Sequence, residues 1–89
     1  MAAPTRSALQ LTQDLIRLRS INPPGGEDAC AHLLAGILGD AGFLVRSYSF
    51  AETRTSIVAT LPTVSDRQPI CFTGHLDTVP LGAAPWSHE

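Results

Sequence analysis

The hydrophobic period changes at Gly42, and that change limits the folds open to this chain. Before it, Cys30, Leu33, Leu34, Ile37, Leu38 and Ala41 recur every three or four residues. That is the stripe of a helix resting one face on a core. After it the chain alternates: Phe43, Val45 and Ser47 fall on one side of an extended segment, and Leu44, Arg46 and Tyr48 on the other. A glycine between the two patterns suits the position just past a helix C-cap. A helical stripe followed at once by alternation predicts a helix laid against a sheet.

The remaining elements follow from the same signals. Residues 7–19 read as a first helix, with Ala8, Leu11, Leu15 and Leu18 on one face and Leu9 and Ile16 widening it. Ser7 or Thr5 can cap it, and Arg17 and Arg19 suit the negative end of its dipole. Residues 20–26 form a loop, because Pro23 and Pro24 remove two backbone donors, hold φ and force Asn22 into an extended conformation. Glu27 and Asp28 open the second helix, which runs to Ala41. Gly36 and Gly39 weaken it and suggest close packing against a sheet. His32 lies beside its apolar stripe and reads as a surface residue. Residues 51–54 predict a turn, and residues 55–61 a second strand rich in β-branched side chains. A polar connector, residues 62–69, precedes residues 70–73. That short apolar run predicts a third, central strand covered on both faces. The predicted fold class is α/β, in the order α-α-β-β-β.

With 89 residues the chain holds one domain, residues 1–89, and one modest core. Its charged fraction is 16% and its apolar fraction 44%. So little charge on a small chain suggests that part of its surface lies against further protein. The formal charge is −2, without a basic stripe, which argues against nucleic acid. No apolar run approaches the roughly 20 residues that span a bilayer, so no membrane partner is expected. The first residues lack the pattern of a signal peptide, so the expected location is cytoplasmic. Cys30 and Cys71 are spaced neither as a metal pair nor as a redox pair, and both read as buried thiols.

Chemistry concentrates after the third predicted strand, at His75 and Asp77. Side chains two apart on extended backbone share a face, and the C-terminal ends of strands are where helix-flanked sheets bind ligands. A neutral imidazole is a good zinc ligand, and a carboxylate beside it fixes its tautomer. Leu76 between them would turn into packing. Such a pair alone is a weak signal, and a surface His and Asp in a turn after a strand is the commoner arrangement; the surrounding residues change that balance.

The string Thr73-Gly74-His75-Leu76-Asp77-Thr78-Val79-Pro80 resembles the metal-binding signature of a zinc metallopeptidase family. Its members include aminoacylase, acetylornithine deacetylase, succinyl-diaminopimelate desuccinylase and carboxypeptidase G. Upstream, Ser20-Ile21-Asn22-Pro23-Pro24-Gly25 with Glu27 resembles the family's loop after its first helix. Gly42-Phe43 is similar to its entry into the first strand, Ile57-Val58-Ala59 to its second strand, and Trp86 to a tryptophan that follows the signature. The resemblance implies the first part of a helix-flanked mixed sheet in a zinc-exopeptidase-like catalytic domain. It assigns His75 as a zinc ligand and Asp77 as the active-site carboxylate that orients it. It also implies two zinc ions per complete site, with cobalt as a substitute. The implied substrate is an N-acyl amino acid or small peptide, cleaved at its amide bond, in a protein that is often a homodimer.

The family's bridging Asp, its paired glutamates, a further acidic ligand and its distal His have no counterpart in this sequence. Glu27, His88 and Glu89 do not stand in the matching motifs. The chain is therefore expected to be an N-terminal fragment of an amidohydrolase, inactive and only partly folded or aggregating alone. The alternative is a small non-catalytic α/β domain that keeps the scaffold and binds a protein partner. Continuation of the reading frame past codon 89 separates the two. A serine hydrolase is set aside, because no Gly-x-Ser-x-Gly elbow is present.

Overall fold

Two helices and a hairpin make up the regular structure of the described residues. The computed structural model describes residues 6–87. Thr5, His88 and Glu89 lie outside them. Helix α1 is Ala8–Ile16, α2 is Asp28–Asp40, β1 is Leu44–Ala51 and β2 is Arg54–Thr60.

Helix α1 starts at Ser7, whose hydroxyl accepts from the Gln10 amide while the Gln10 side chain accepts from the Ser7 amide. This capping box satisfies two donors that a helix start leaves free. The helix ends three residues short of the predicted boundary. Arg17 is its C-cap and pairs with Asp14, so neither Arg17 nor Arg19 sits in the last turn. Leu11, Leu15 and Leu18 turn partly inward, whereas Leu9 and Ile16 face outward.

Helix α2 ends as its glycine predicts. Gly42 has φ +100°, its N–H donates to the Gly39 carbonyl, and the Phe43 N–H donates to the Leu38 carbonyl. These are the paired bonds of a Schellman motif, and they release the chain straight into β1. Cys30 and Ala31, near its start, are the most buried apolar residues. Gly36 and Gly39 meet nothing that their missing side chains would touch, so the close packing expected of them is absent. His32 is exposed, as expected.

Strands β1 and β2 pair antiparallel, with Val45 opposite Ala59, Ser47 opposite Ile57 and Ser49 opposite Thr55. Val45, Thr55, Ile57 and Ala59 lie on the covered face, beneath α2, while Leu44, Tyr48 and Val58 face solvent. The predicted alternation is thus preserved in register.

The third strand does not form. Residues 70–73 belong to no strand, and Ile70 and Phe72 are 83% and 93% exposed. Cys71, expected to be buried beside them, is exposed. The physical reason is backbone pairing. A covered strand needs a ladder partner, and among the described residues neither edge of the hairpin supplies one to this segment. The sheet is accordingly two-stranded and antiparallel, not mixed. The radius of gyration is 15.4 Å, against about 12 Å for a compact chain of this length.

After this excursion the chain returns. Thr78 and Ile21 form a parallel bridge, with the Asn22 amide donating to the Thr78 carbonyl at 2.8 Å and the Thr78 amide to the Ser20 carbonyl at 2.9 Å. Residues 75–78 are thereby pinned to the loop that follows α1.

Candidate metal centre

His75 and Asp77 come together where that bridge meets the hairpin. His75 Nδ1 lies 2.8 Å from the Asp77 main-chain oxygen and 3.2 Å from its Oδ1. A carbonyl oxygen only accepts, so Nδ1 must carry the proton. In the neutral ring Nε2 then keeps its lone pair, and it has no partner among the described residues. The ring is exposed, with 84% of the side chain open to solvent. The Asp77 carboxylate lies within reach of the ring, but the nearer contact is the residue's own main-chain carbonyl.

Asp77 is held from the other side. Its Oδ2 accepts from Asn22 Nδ2 at 3.0 Å and from Arg54 Nη2 at 3.3 Å. The hydrogen bond from Asn22 is the main cause that holds its carboxyl below the usual carboxylate range; His75 and Arg54 act in the same direction, against partial desolvation. One oxygen therefore serves the scaffold and the other faces the imidazole. Leu76 between them is partly covered, in line with its expected turn into packing.

Arg54 extends the arrangement to α2. Its Nε donates to Glu27 Oε1 at 2.7 Å, and its guanidinium lies 5.1 Å from the centre of the Phe50 ring. Glu27 is 5% exposed, and its Oε2 has no hydrogen-bond partner among the described residues. Removing one member of such a covered pair costs about 3–5 kcal/mol, because the other charge stays behind uncompensated. The hairpin turn is fastened to the same place: Thr53 Oγ1 donates to the Gly25 carbonyl at 2.9 Å, and the Asp28 amide donates to the Thr53 carbonyl at 3.2 Å. Gly25 has φ +88°, and a Cβ there would stand 2.7 Å from Arg54 Nε.

Sequence reasoning placed Glu27 as a dipole partner, Arg54 as a turn residue and Asn22 as a proline-restrained spacer. Asn22 and Arg54 instead converge on Asp77, and Glu27 holds Arg54. The available signal was the dense loop motif from Ser20 to Glu27, which concentrates polar residues between two helices without giving them a role there. A cleft of about 480 Å³ opens beside the group, bounded by Glu27, Arg54, His75, Asp77, Leu38 and Phe72.

Comparison with known proteins places the chain. Over 87 residues, 94% of its length, it is 36% identical to a succinyl-diaminopimelate desuccinylase of Rhodopseudomonas palustris (strain TIE-1), of which the match covers 22%. It is 41% identical over 88 residues to the corresponding enzyme of Methylobacterium nodulans, covering 96% of the chain and 22% of that protein. The chain belongs to the zinc metallopeptidase family of these desuccinylases. A third member, from Phenylobacterium zucineum, is 38% identical over 85 residues. The chain spans about a fifth of the length of the desuccinylases it matches. No family model matches it, and no solved structure does so significantly.

Family membership sharpens the test of whether the residues present can hold zinc. An imidazole with Nδ1–H engaged and Nε2 exposed fits one ligand position. Four are needed for a structural site and three for a catalytic one. Among the described residues no three His, Cys, Asp or Glu side chains stand together as a metal-binding group. No helix among them is long and apolar enough to cross a membrane.

Proposed function

We propose that this chain supplies one corner of the active site of a zinc-dependent amidohydrolase. In this reading His75 is a metal ligand through Nε2, and Asp77 is the active-site carboxylate that sets its orientation. The observation that carries it is the contact of His75 Nδ1 to Asp77, 2.8 Å to the main-chain oxygen and 3.2 Å to Oδ1, which leaves Nε2 exposed beside a cleft. Zinc bound in such a site acidifies water and polarises the amide carbonyl. What these residues do is narrower. Asp77 accepts the hydrogen bond from Nδ1–H, Asn22 and Arg54 hold Asp77, and the parallel bridge at Thr78 keeps the segment against the loop.

The substrate class that the relatives suggest is an N-acyl amino acid, cleaved at the amide between the acyl group and the amino nitrogen. A cytoplasmic location and a second copy of the complete protein belong to the same reading. The ligand count supports a further part of it: the 89 residues alone hydrolyse nothing, since one imidazole cannot complete a zinc site.

A hybrid enzyme tests the assignment. Residues 6–87 replace the matching segment of the Methylobacterium nodulans desuccinylase, and zinc-dependent release of succinate is measured. The expected result is activity that His75→Ala abolishes together with one zinc per site. A folded hybrid in which His75→Ala retains both activity and metal would overturn the reading. The alternative, a non-catalytic domain that binds a protein partner, has no specific observation in its favour.

A further inference from the structure

Asp77 has two carboxylate oxygens and the structure divides them. Oδ1 faces His75, while Oδ2 takes Asn22 and Arg54. Asn22 comes from the loop after α1, so it moves with the bridge that already pins residue 78. Arg54 comes from the hairpin and ties that independent element to the same carboxylate.

Four features set the position of the guanidinium. Glu27 accepts its Nε–H at 2.7 Å, from a side chain otherwise shut away from solvent. Phe50 lies against its face. The hairpin turn is bonded to the start of α2 through Asp28 and to Gly25 through Thr53. Gly25 leaves bare the space through which the guanidinium passes, at a distance no side chain would permit. A solvated surface arginine needs none of these. A buried carboxylate with one unpartnered oxygen is a costly way to stabilise a fold, since an apolar residue would serve better. It is an effective way to aim a guanidinium, whose planar fork can reach two carboxylates at once.

We infer that Arg54, aimed by Glu27, is the positioning residue of this site: it holds Asp77 Oδ2 so that residue 77 presents both its main-chain carbonyl and its Oδ1 to His75, which fixes the imidazole with its proton on Nδ1. Arg54 touches neither His75 nor the reacting atoms and acts through Asp77. The consequence for catalysis rests on the reading of His75 as a metal ligand. The geometry does not, and it can be tested without metal.

The test is the tautomer of His75, read by long-range proton–nitrogen NMR of the full 89-residue chain in alkaline buffer, with Ile70→Lys/Phe72→Lys as a background that keeps the chain dispersed and the signals assigned against His75→Asn. With Arg54 intact the ring is expected to show Nδ1 protonated and Nε2 bare. Arg54→Gln is expected to lose that preference and give a mixture of tautomers, while the amide signals of α2 and the hairpin persist. If Arg54→Gln unfolds, the double variant Glu27→Gln/Arg54→Gln removes the stranded carboxylate and is read the same way. Retention of the Nδ1-protonated ring in a folded variant overturns the proposal. So does loss of the hairpin amides in both variants, which makes the role of Arg54 structural. The ligand reading fails separately, through the hybrid enzyme with His75→Ala.

Discussion

Asn22 Nδ2 donates to Asp77 Oδ2 at 3.0 Å across 55 residues of sequence. The bond joins the loop after α1 to the segment that carries His75, and two main-chain hydrogen bonds between Asn22, Thr78 and Ser20 run beside it. A short bridge of two bonds is weakly cooperative alone. The side-chain bond to an ionised acceptor strengthens it, since charge-assisted bonds are about twice as strong as neutral ones.

Asn22→Ala is therefore expected to open this bridge. The measurement is hydrogen exchange at the Asn22 and Thr78 amides, which should accelerate at least several-fold while the amides of α2 keep their protection. Unchanged exchange at Thr78 would show that the main-chain bridge stands without the side chain.

Two glycines should respond to alanine with opposite signs. Gly25 has φ +88°, and an added Cβ would press on Arg54 at 2.7 Å. Gly25→Ala is expected to destabilise the fold by more than about 1 kcal/mol. Gly36 sits within α2 with open space where its side chain would be. Gly36→Ala is expected to stabilise by about 0.5–1 kcal/mol, through helix propensity alone. The denaturant midpoint of the helical circular dichroism signal reports both.

The two thiols should differ in kind. Cys30 is buried, with its Sγ 3.8 Å from the Leu15 carbonyl, and burial pushes its thiol above the ordinary value of 9.0, against a hydrogen bond from Ser20. Cys71 is exposed. A thiol reagent is expected to modify Cys71 at once and Cys30 only as the structure opens. The folded chain holds the Cys30 proton at pH values where the unfolded chain has lost it. Its contribution to stability is thus complete below the ordinary thiol value and declines as pH rises above it. Cys30→Ser should flatten the alkaline arm of the stability profile.

Ile70 and Phe72 stand open to solvent on backbone that pairs with no strand among the described residues. An apolar, unpaired extended segment is a template for association. The chain is expected to self-associate at micromolar concentration. Ile70→Lys/Phe72→Lys should lower the apparent mass in sedimentation without altering the helical signal. An unchanged mass would place the association surface elsewhere.

Much of this fold was legible in the residues. The stripe from Cys30 to Ala41, its stop at Gly42 and the alternation after Phe43 are local patterns, and local backbone preference decides them. Ser7 is equally local, since its partner Gln10 is three residues away. The run at residues 70–73 misled because apolarity reports a wish to be covered and cannot say whether a neighbour is at hand.

The site divides along the same line. The sequence by itself determined that His75 and Asp77 stand two residues apart in a family signature, and that spacing alone puts the carboxylate within reach of the imidazole. Only the tertiary structure decided which oxygen of Asp77 faces the ring, that Asn22 and Arg54 hold the other, and that Glu27 turns inward to aim Arg54. These contacts join residues 23 to 55 positions apart. No periodicity encodes them, because they exist only once the loop after α1, the start of α2 and the hairpin turn have packed on one another.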